Sequence, residues 1–477
     1  MPETPQETTQ KPEFPQPLTN AAQPSIARVC DGLSVRHSET GGVRAAQPPS
    51  TIQKPEFRAA VGLSRKWDAR AAGREVALNT LEKLGCNPHF ILLFSTIHYE
   101  KHGGFQELLN GVWDVLPEGT PLIGGTVAGF INPQGCYTRG VTALAVNYPN
   151  MDIATGIGHN TKRNPQKAAK QCAKQIKQKL DKSKYKNKFI YEVVSGGKIP
   201  NFPGLGRRRI VRSGFISTIA SQLSIISLKI LQFGVGREEE VLDSLVSELS
   251  DYTLLGMSSI DNNLMVENYQ FYYSKVVSNV VLGLGISTNL DIDLNTTYGL
   301  EFSPTKLFAS NISSDKRILH EINNKPAIHG FLEAIRWPDD FINERLYRKT
   351  FFTPLGYEAD GILFPNVLGL CLGNDIIFGY KVQSPELHLL RASGKSMISA
   401  IDQNLSHFKR NSSLVLIVSC AARLEALGSN IALEGDKTLE YFNNSPFLIV
   451  FAGGEDAYSK NTGKRHVNES FNVATLS

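Results

Sequence analysis

Between residues 89 and 476 the chain keeps returning to one pattern: a short apolar run ending in small polar or glycine residues, a helical stretch, then a second apolar run ending the same way. Runs of this length suit strands, and strands alternating with helices imply α/β layering, because a sheet face needs a covering layer. The expected fold is therefore α/β, with mixed sheets and packed helices built from repeated strand-helix-strand-strand units. In the first unit Asp68 suits the N-cap of a helix that places Ala72, Val76, Leu81 and Leu84 at helical spacing. A strand over His89 to Thr96, a helix over Phe105 to Val115 and a strand over Pro121 to Ile123 follow. That strand ends in Gly124-Gly125-Thr126-Val127-Ala128-Gly129, and after a turn at Gly135 another runs over Val141 to Asn147.

The second unit reads Phe189 to Val194, Ser195-Gly196-Gly197, helical stretches to Leu249, a strand over Thr253 to Leu255 with Gly256-Met257-Ser258-Ser259, and a strand over Lys275 to Gly283. The third reads Ser413 to Val418 with Ser419-Cys420-Ala421, then Pro446 to Phe451 with Ala452-Gly453-Gly454-Glu455, and closes over Asn468 to Leu476. Ligands of open α/β sheets bind beyond the carboxyl ends of strands, where backbone N–H groups are free, so these small-residue loops carry the functional expectation. Their glycines equally serve tight turns.

Outside the repeats the chain is different. Residues 1 to 60 hold Pro2, Pro5, Pro12, Pro15, Pro17, Pro24, Pro48, Pro49 and Pro55 with much Gln, Thr and Ser, a composition read as a disordered tail. Gln-Lys-Pro-Glu-Phe occurs in it twice, at Gln10 to Phe14 and at Gln53 to Phe57. A net charge of +5 over 477 residues selects no nucleic-acid partner. The longest apolar stretch, Phe215 to Val235, is broken by Ser217, Gln222 and Lys229, so no membrane segment is expected. The opening MPETPQETTQKPEF has no secretory pattern, and six cysteines without CxxC spacing suit reduced thiols, so a cytoplasmic protein is expected.

The same strand-end residues make the chain resemble a FIST protein, with an N-terminal and a C-terminal FIST module, over about 400 residues. The resemblance rests on Phe94-Ser95-Thr96, on Ile123 to Gly129 and on Gly256-Met257-Ser258-Ser259-Ile260-Asp261-Asn262, in that order. Glu321-Ile322-Asn323-Asn324-Lys325-Pro326-Ala327, before a helix over Ile328 to Ile335, resembles the family's join. The second module resembles the family at Ser419-Cys420-Ala421-Ala422-Arg423, Gly454-Glu455 and Asn468-Glu469-Ser470. It departs at Gly453 to Ala457, at Ser470 where Thr is usual, and at Val467 where His is usual. The implied division is a tail over 1–60, an N-terminal module over 61–325 and a C-terminal module over 326–477. The resemblance implies a sensory input protein that binds a small molecule such as an amino acid, with haem in some family members, and passes its signal to a separate downstream signalling protein.

Read from their chemistry, Cys420, Arg423 and Glu455 are the foremost constellation: Arg423 could clamp a carboxylate bidentately and Glu455 receive an amino group, beside backbone donors of Gly124, Gly125 and Thr126. Equally, Arg423 and Glu455 could pair internally and lock the C-terminal turns. Ser258, Ser259, Gly454 and Asn468 complete the candidate ligand site. No catalytic residue and no metal-ligand spacing are expected, and no cofactor, with His98 as the axial ligand if haem is bound. Cys420 with a base such as His466 defines the enzyme alternative, a cleft using Cys420 or Glu455. His98 and His102 precede Gly103-Gly104 and read as a loop; Arg207-Arg208-Arg209 with Arg212, after Gly204-Leu205-Gly206, reads as a solvated loop. The lysines of Asn164 to Lys182 read as a solvated helical face.

Overall fold

The computed structural model describes residues 56–199, 208–211, 236–344, 346–443 and 445–477. Most of the expected tail, the Phe215 to Val235 stretch, Gly204 to Arg207 and Arg212 lie outside the described residues. Order begins earlier than expected, since Arg58–Ser64 is already a strand, paired antiparallel with Val141–Asn147.

Three six-stranded mixed sheets repeat one strand order. In the first, Arg58–Ser64, Val141–Asn147, Phe90–Ser95 and Leu122–Thr126 lie side by side, the last two parallel. In the second the same places are taken by Met151–His159, Val280–Thr288, Asn187–Ser195 and Thr253–Ser259. In the third they are taken by Ile292–Thr297, Phe471–Leu476, Leu414–Cys420 and Phe447–Ala452. Each sheet is completed by a hairpin from another repeat. Gln270–Tyr272 with Lys275–Val277 joins the first sheet, Glu455–Ser459 with Gly463–Val467 the second, and Gly129–Asn132 with Gly135–Tyr137 the third. The exchange is cyclic, so no sheet is complete without a neighbour's hairpin.

The inner faces of the three sheets share one core, with Phe94 and Ile123 from the first, Tyr191 and Met257 from the second, and Val418 and Val450 from the third. Helices cover the outer faces. Ala69–Leu84 starts where Asp68 accepts a hydrogen bond from the Ala71 N–H at 2.8 Å and ends at Gly85, as its cap residues dictate. With Phe105–Trp113 it covers the first sheet. Pro165–Leu180 buries Ala168, Cys172 and Ile176 against the second sheet, alongside Glu238–Glu248, and turns Lys167, Lys170 and Lys174 outward. Gly394–Leu405 covers the third.

The strands run further than the apolar runs alone suggest, through Thr126, Ser259 and Cys420, because a buried ladder accepts small and polar residues as readily as apolar ones. The expected strand over Lys275 to Gly283 is two, Lys275–Val277 and Val280–Thr288, broken where Asn279 takes a left-handed φ of 55°. Between the first strand of the third repeat and its helix the chain inserts a nine-stranded sheet reaching from Leu300–Ile312 to Glu386–Ala392, also joined by Ile210–Val211. It has its own core around Ile322, Ile328, Phe331 and Phe378, with the expected helix formed as Ala327–Ile335.

Candidate functional site

A cleft of about 60 Å³ opens where the carboxyl ends of Asn187–Ser195, Thr253–Ser259, Leu414–Cys420 and Phe447–Ala452 converge. It is lined by Gly196, Ser258, Ser259, Cys420 and Gly453 at these strand ends and by Glu238, His466 and Asn468. Tyr347, Phe351 and Tyr380 of the inserted region close it over. Asn468 fastens this roof, its side-chain Oδ1 accepting from the Val367 N–H at 3.4 Å and its backbone N–H donating to the Pro365 carbonyl at 3.2 Å.

The cleft's electrostatics begin in one rung of the second sheet. Gly256 pairs with Glu192 on one side and Asp456 on the other, and Asp456 pairs with His466. With no side chain at Gly256 to separate them, two buried carboxyls meet. Burial, then the Asp456 carboxylate, push Glu192 well above the usual carboxylate range. His466 Nδ1 sits 2.6 Å from Asp456 Oδ1. Burial alone would push its imidazole down, but Asp456, aided by Glu238 and Glu239, outweighs it and lifts it to about 9, so the ring facing the cleft is a cation at neutral pH. Burial raises the Glu238 carboxyl while Lys162 and His466 draw it back. Lys162 is itself buried, its Nζ donating to the Gly196 carbonyl at 2.7 Å, and burial lowers it to about 8. The cleft thus offers an imidazolium, a carboxyl group and the hydroxyl of Ser258, whose buried Oγ has no hydrogen-bond partner among the described residues.

The strand ends of the first and second repeats also meet, and there Gln270 and Tyr269 bridge them. Gln270, Glu455 and Gly129 hold matching places, opposite Gly125, Met257 and Phe451. At the first sheet Gln270 spans Ser195, Ser259 and Asn268 with hydrogen bonds, and the Thr126 N–H donates to the Tyr269 carbonyl at 2.9 Å. Gly124, Gly125 and Thr126 are enclosed in that junction, away from the cleft.

A FIST N domain matches residues 89–325. The chain is a FIST-domain protein. FIST domains are small-ligand-binding sensory domains of signal-transduction proteins. The FIST protein is also similar to an uncharacterized protein of Methanocaldococcus jannaschii, 25% identical over 226 residues, which are 44% of this chain and 43% of that protein. The chain thus spans under half the length of that relative. Among solved structures, a cyanuric acid hydrolase from A. caulinodans matches 51% of this chain and 72% of its own at 8% identity and a TM-score of 0.24. Another cyanuric acid hydrolase structure matches 88% of this chain and all of its own at 11% identity and a TM-score of 0.28. Likenesses this distant carry no functional argument.

Of the residues expected at the FIST protein's site, Ser258, Ser259, Cys420 and Asn468 line the cleft, and Gly454 backs it between Ser258 and His466. Arg423 and Glu455 lie behind it, fully buried. Arg423 Nε donates to Glu434 Oε1 at 2.7 Å and its Nη1 donates to the Tyr298 carbonyl, while Glu455 Oε2 accepts from the Ser470 hydroxyl at 3.0 Å. These two residues lock the C-terminal turns. The Cys420 thiol is pushed well above its ordinary value by burial and then by Glu455 and Glu469, which disfavours the thiolate a nucleophile needs.

His98 lies on a short 3₁₀ turn, Ile97–Lys101, rather than a loop, and does not line the cleft. A porphyrin does not fit a cleft of about 60 Å³, since sites for drug-sized ligands already run to ~300 Å³ or more. Arg209, expected in a solvated loop, is buried: its guanidinium stacks 3.3 Å from the Tyr347 ring centroid and donates through Nη2 to the Asn263 carbonyl. It therefore buttresses two cleft residues. The sequence signal it carried was the arginine run, which composition alone could not separate from a solvated one. Glu238 was legible only as one of three acids opening a helix, and His466 only as a base for Cys420.

Proposed function

We propose that this FIST protein is a sensory input module that captures a small zwitterionic metabolite of amino-acid type in the cleft between the second and third repeats. The observation that carries the reading is the buried Ser258 hydroxyl, which has no hydrogen-bond partner among the described residues although it lines a cleft that Glu238 and His466, groups of opposite charge, also line. A buried polar group without a partner is costly, and a bound ligand that bonds it removes the cost. Glu238 receives the ammonium end, and Gly196 and Gly453 let small ligands approach backbone. The binding needs no cofactor in this reading. It takes place in the cytoplasm, where the free thiols Cys86 and Cys136 stay reduced, and the signal passes to a separate signalling protein.

Thermal unfolding of the full chain against glycine, alanine and serine tests it, because a ligand of the folded state alone must stabilise that state. At least one amino acid should raise Tm by several degrees in the native protein and by much less in Glu238→Gln, which keeps the side-chain shape but loses the charge. A folded protein that none of the three amino acids stabilises would overturn the reading.

A further inference from the structure

Within that cleft, we propose that Ser258 and His466 form an anion subsite for the carboxylate of a small organic acid, with Asp456 as the residue that positions His466. The inference rests on the binding reading above but assigns one end of the ligand to named atoms.

The geometry comes first. Asp456 occupies Nδ1 of His466, and Nε2 has no hydrogen bond among the described residues, so the ring's remaining donor is free on a residue that lines the cleft. Ser258 Oγ is likewise buried and unpartnered. The two groups flank one point: a Cβ built on Gly454 would lie 3.1 Å from Ser258 Oγ and 3.2 Å from His466 Nε2. Any residue but glycine at 454 would wedge its side chain between them. Glycine at 454 thus leaves both atoms uncovered, and an unpartnered imidazolium N–H and hydroxyl lining one cleft match the two oxygens of a carboxylate, hydrogen bonds to an ion being the strong ones. The size agrees, since a cleft of about 60 Å³ is well under the ~150 Å³ of a cavity that accepts benzene.

The charge comes second. The groups that face His466 are Asp456 on the neighbouring strand, Glu238 and Glu239 on the helix Glu238–Glu248, and the Tyr380 ring, edge-on at 5.5 Å. Beyond Asp456 lies Glu192, which burial and Asp456 hold toward its neutral form. Held toward neutrality, Glu192 adds little negative charge to the row behind the ring. Because the ring stays protonated to about pH 9, capture should hold through neutrality and fade as pH rises through that value.

The test titrates the full chain with sodium acetate against sodium chloride at equal ionic strength, and in parallel with glycine, by calorimetry from pH 6 to 10. Acetate should bind at pH 7 and weaken at least tenfold by pH 10. Ser258→Ala should weaken it by about tenfold, as for loss of one hydrogen bond to an ion, and Gly454→Ala should abolish it. In Asp456→Asn the pH of half-loss should fall by two units or more, a shift that a merely structural role would not produce. Should Asp456→Asn fail to fold, Gly454→Ala and His466→Gln decide the matter. Acetate binding that is flat to pH 10, or unchanged in Gly454→Ala and His466→Gln, overturns the subsite. Glycine binding without acetate binding overturns it too, and leaves the amino-acid reading intact. Acetate binding in a protein that none of glycine, alanine and serine stabilises keeps the subsite and ends the amino-acid reading.

Discussion

Glu469 shows how much of this protein's stability is governed by single buried acids. It adopts a left-handed φ of 61°, its two carboxylate oxygens have no hydrogen-bond partner among the described residues, and burial lifts it to about 8 against a partial pull downward from Arg423. An unfolded Glu releases its proton near pH ~4.3, so the folded state binds that proton more tightly. Folding is then unpenalised below that value, and stability drains away as pH climbs to about 8. His466 acts in the same direction over a later window. Its contribution is whole below the ordinary histidine range and is lost as pH passes about 9. Glu469→Gln should therefore match the native protein at pH 4.5 and exceed it at pH 8.5 by on the order of 3 kcal/mol. Chemical denaturation at the two pH values measures this, and an equal difference at both would refute it. Sequence reading reached these residues unevenly. Cys420, Arg423 and Glu455 were picked out as chemistry-bearing and are near neighbours. That Arg423 spends its charge on Glu434, eleven positions on, depends on a helix packing that no local pattern reports. The His466–Asp456–Glu192 row depends on strand register across the second sheet, where Gly256 pairs with Glu192, 64 positions away, and with Asp456, 200 positions away, which is beyond any window of periodicity.

At the scale of elements, local signals performed well wherever one side chain decides the outcome. Asp68 caps its helix as its position predicts, and Asn164 does the same for Pro165–Leu180, because a carboxylate or amide oxygen there satisfies an N–H that the helix leaves free. Strand ends were less legible, since Gly124, Gly125 and Thr126 look like a turn and are instead the last rungs of a buried ladder. Helix contacts were not legible at all. The helices Ala69–Leu84 and Phe105–Trp113 approach so closely that a Cβ on Gly111 would lie 2.0 Å from the Arg70 carbonyl oxygen, and one on Gly73 would lie 1.9 Å from that of Leu108. In sequence each glycine is only a mild cost to its own helix. In the fold each is what lets backbone meet backbone. Gly111→Val should thus force the pair apart and destabilise by about 3 kcal/mol or more, in the range of severe overpacking. Gly119→Ala, at a turn with nothing within 4 Å of the added atom but a φ of 78°, should cost about 1 kcal/mol through backbone strain alone. Comparable losses at the two positions, read from urea midpoints, would show that the helices can slide apart without cost.

At the scale of the molecule the decisive feature is the cyclic exchange of hairpins. The sequence displayed three similar units, and their alternation of strand and helix was enough to give the α/β class. It could not show that each unit lends its hairpin to another, because the lent strands are short, and strand pairing between distant segments leaves no periodic trace. The exchange has a thermodynamic consequence. Residues 58–325 hold all of the first repeat and all of the second, yet in isolation the edge of Thr253–Ser259 would lose Glu455–Ser459. The hairpin Gly129–Asn132 with Gly135–Tyr137 would lose Phe447–Ala452. The shared core would also lose Leu414, Leu416, Val418, Leu448 and Val450, leaving a large apolar face open to water. A segment that spans the FIST N match is thus expected to lack a cooperative transition when expressed alone. The remaining residues 326–477, missing their partner strands, should fare no better. Mixing the two should restore a single unfolding transition, since the hairpins can then be exchanged between fragments as they are within one chain. Calorimetry of each fragment and of the mixture tests this directly. A sharp endotherm from residues 58–325 alone would mean that the lent hairpins are dispensable, and that the two halves fold as separate bodies.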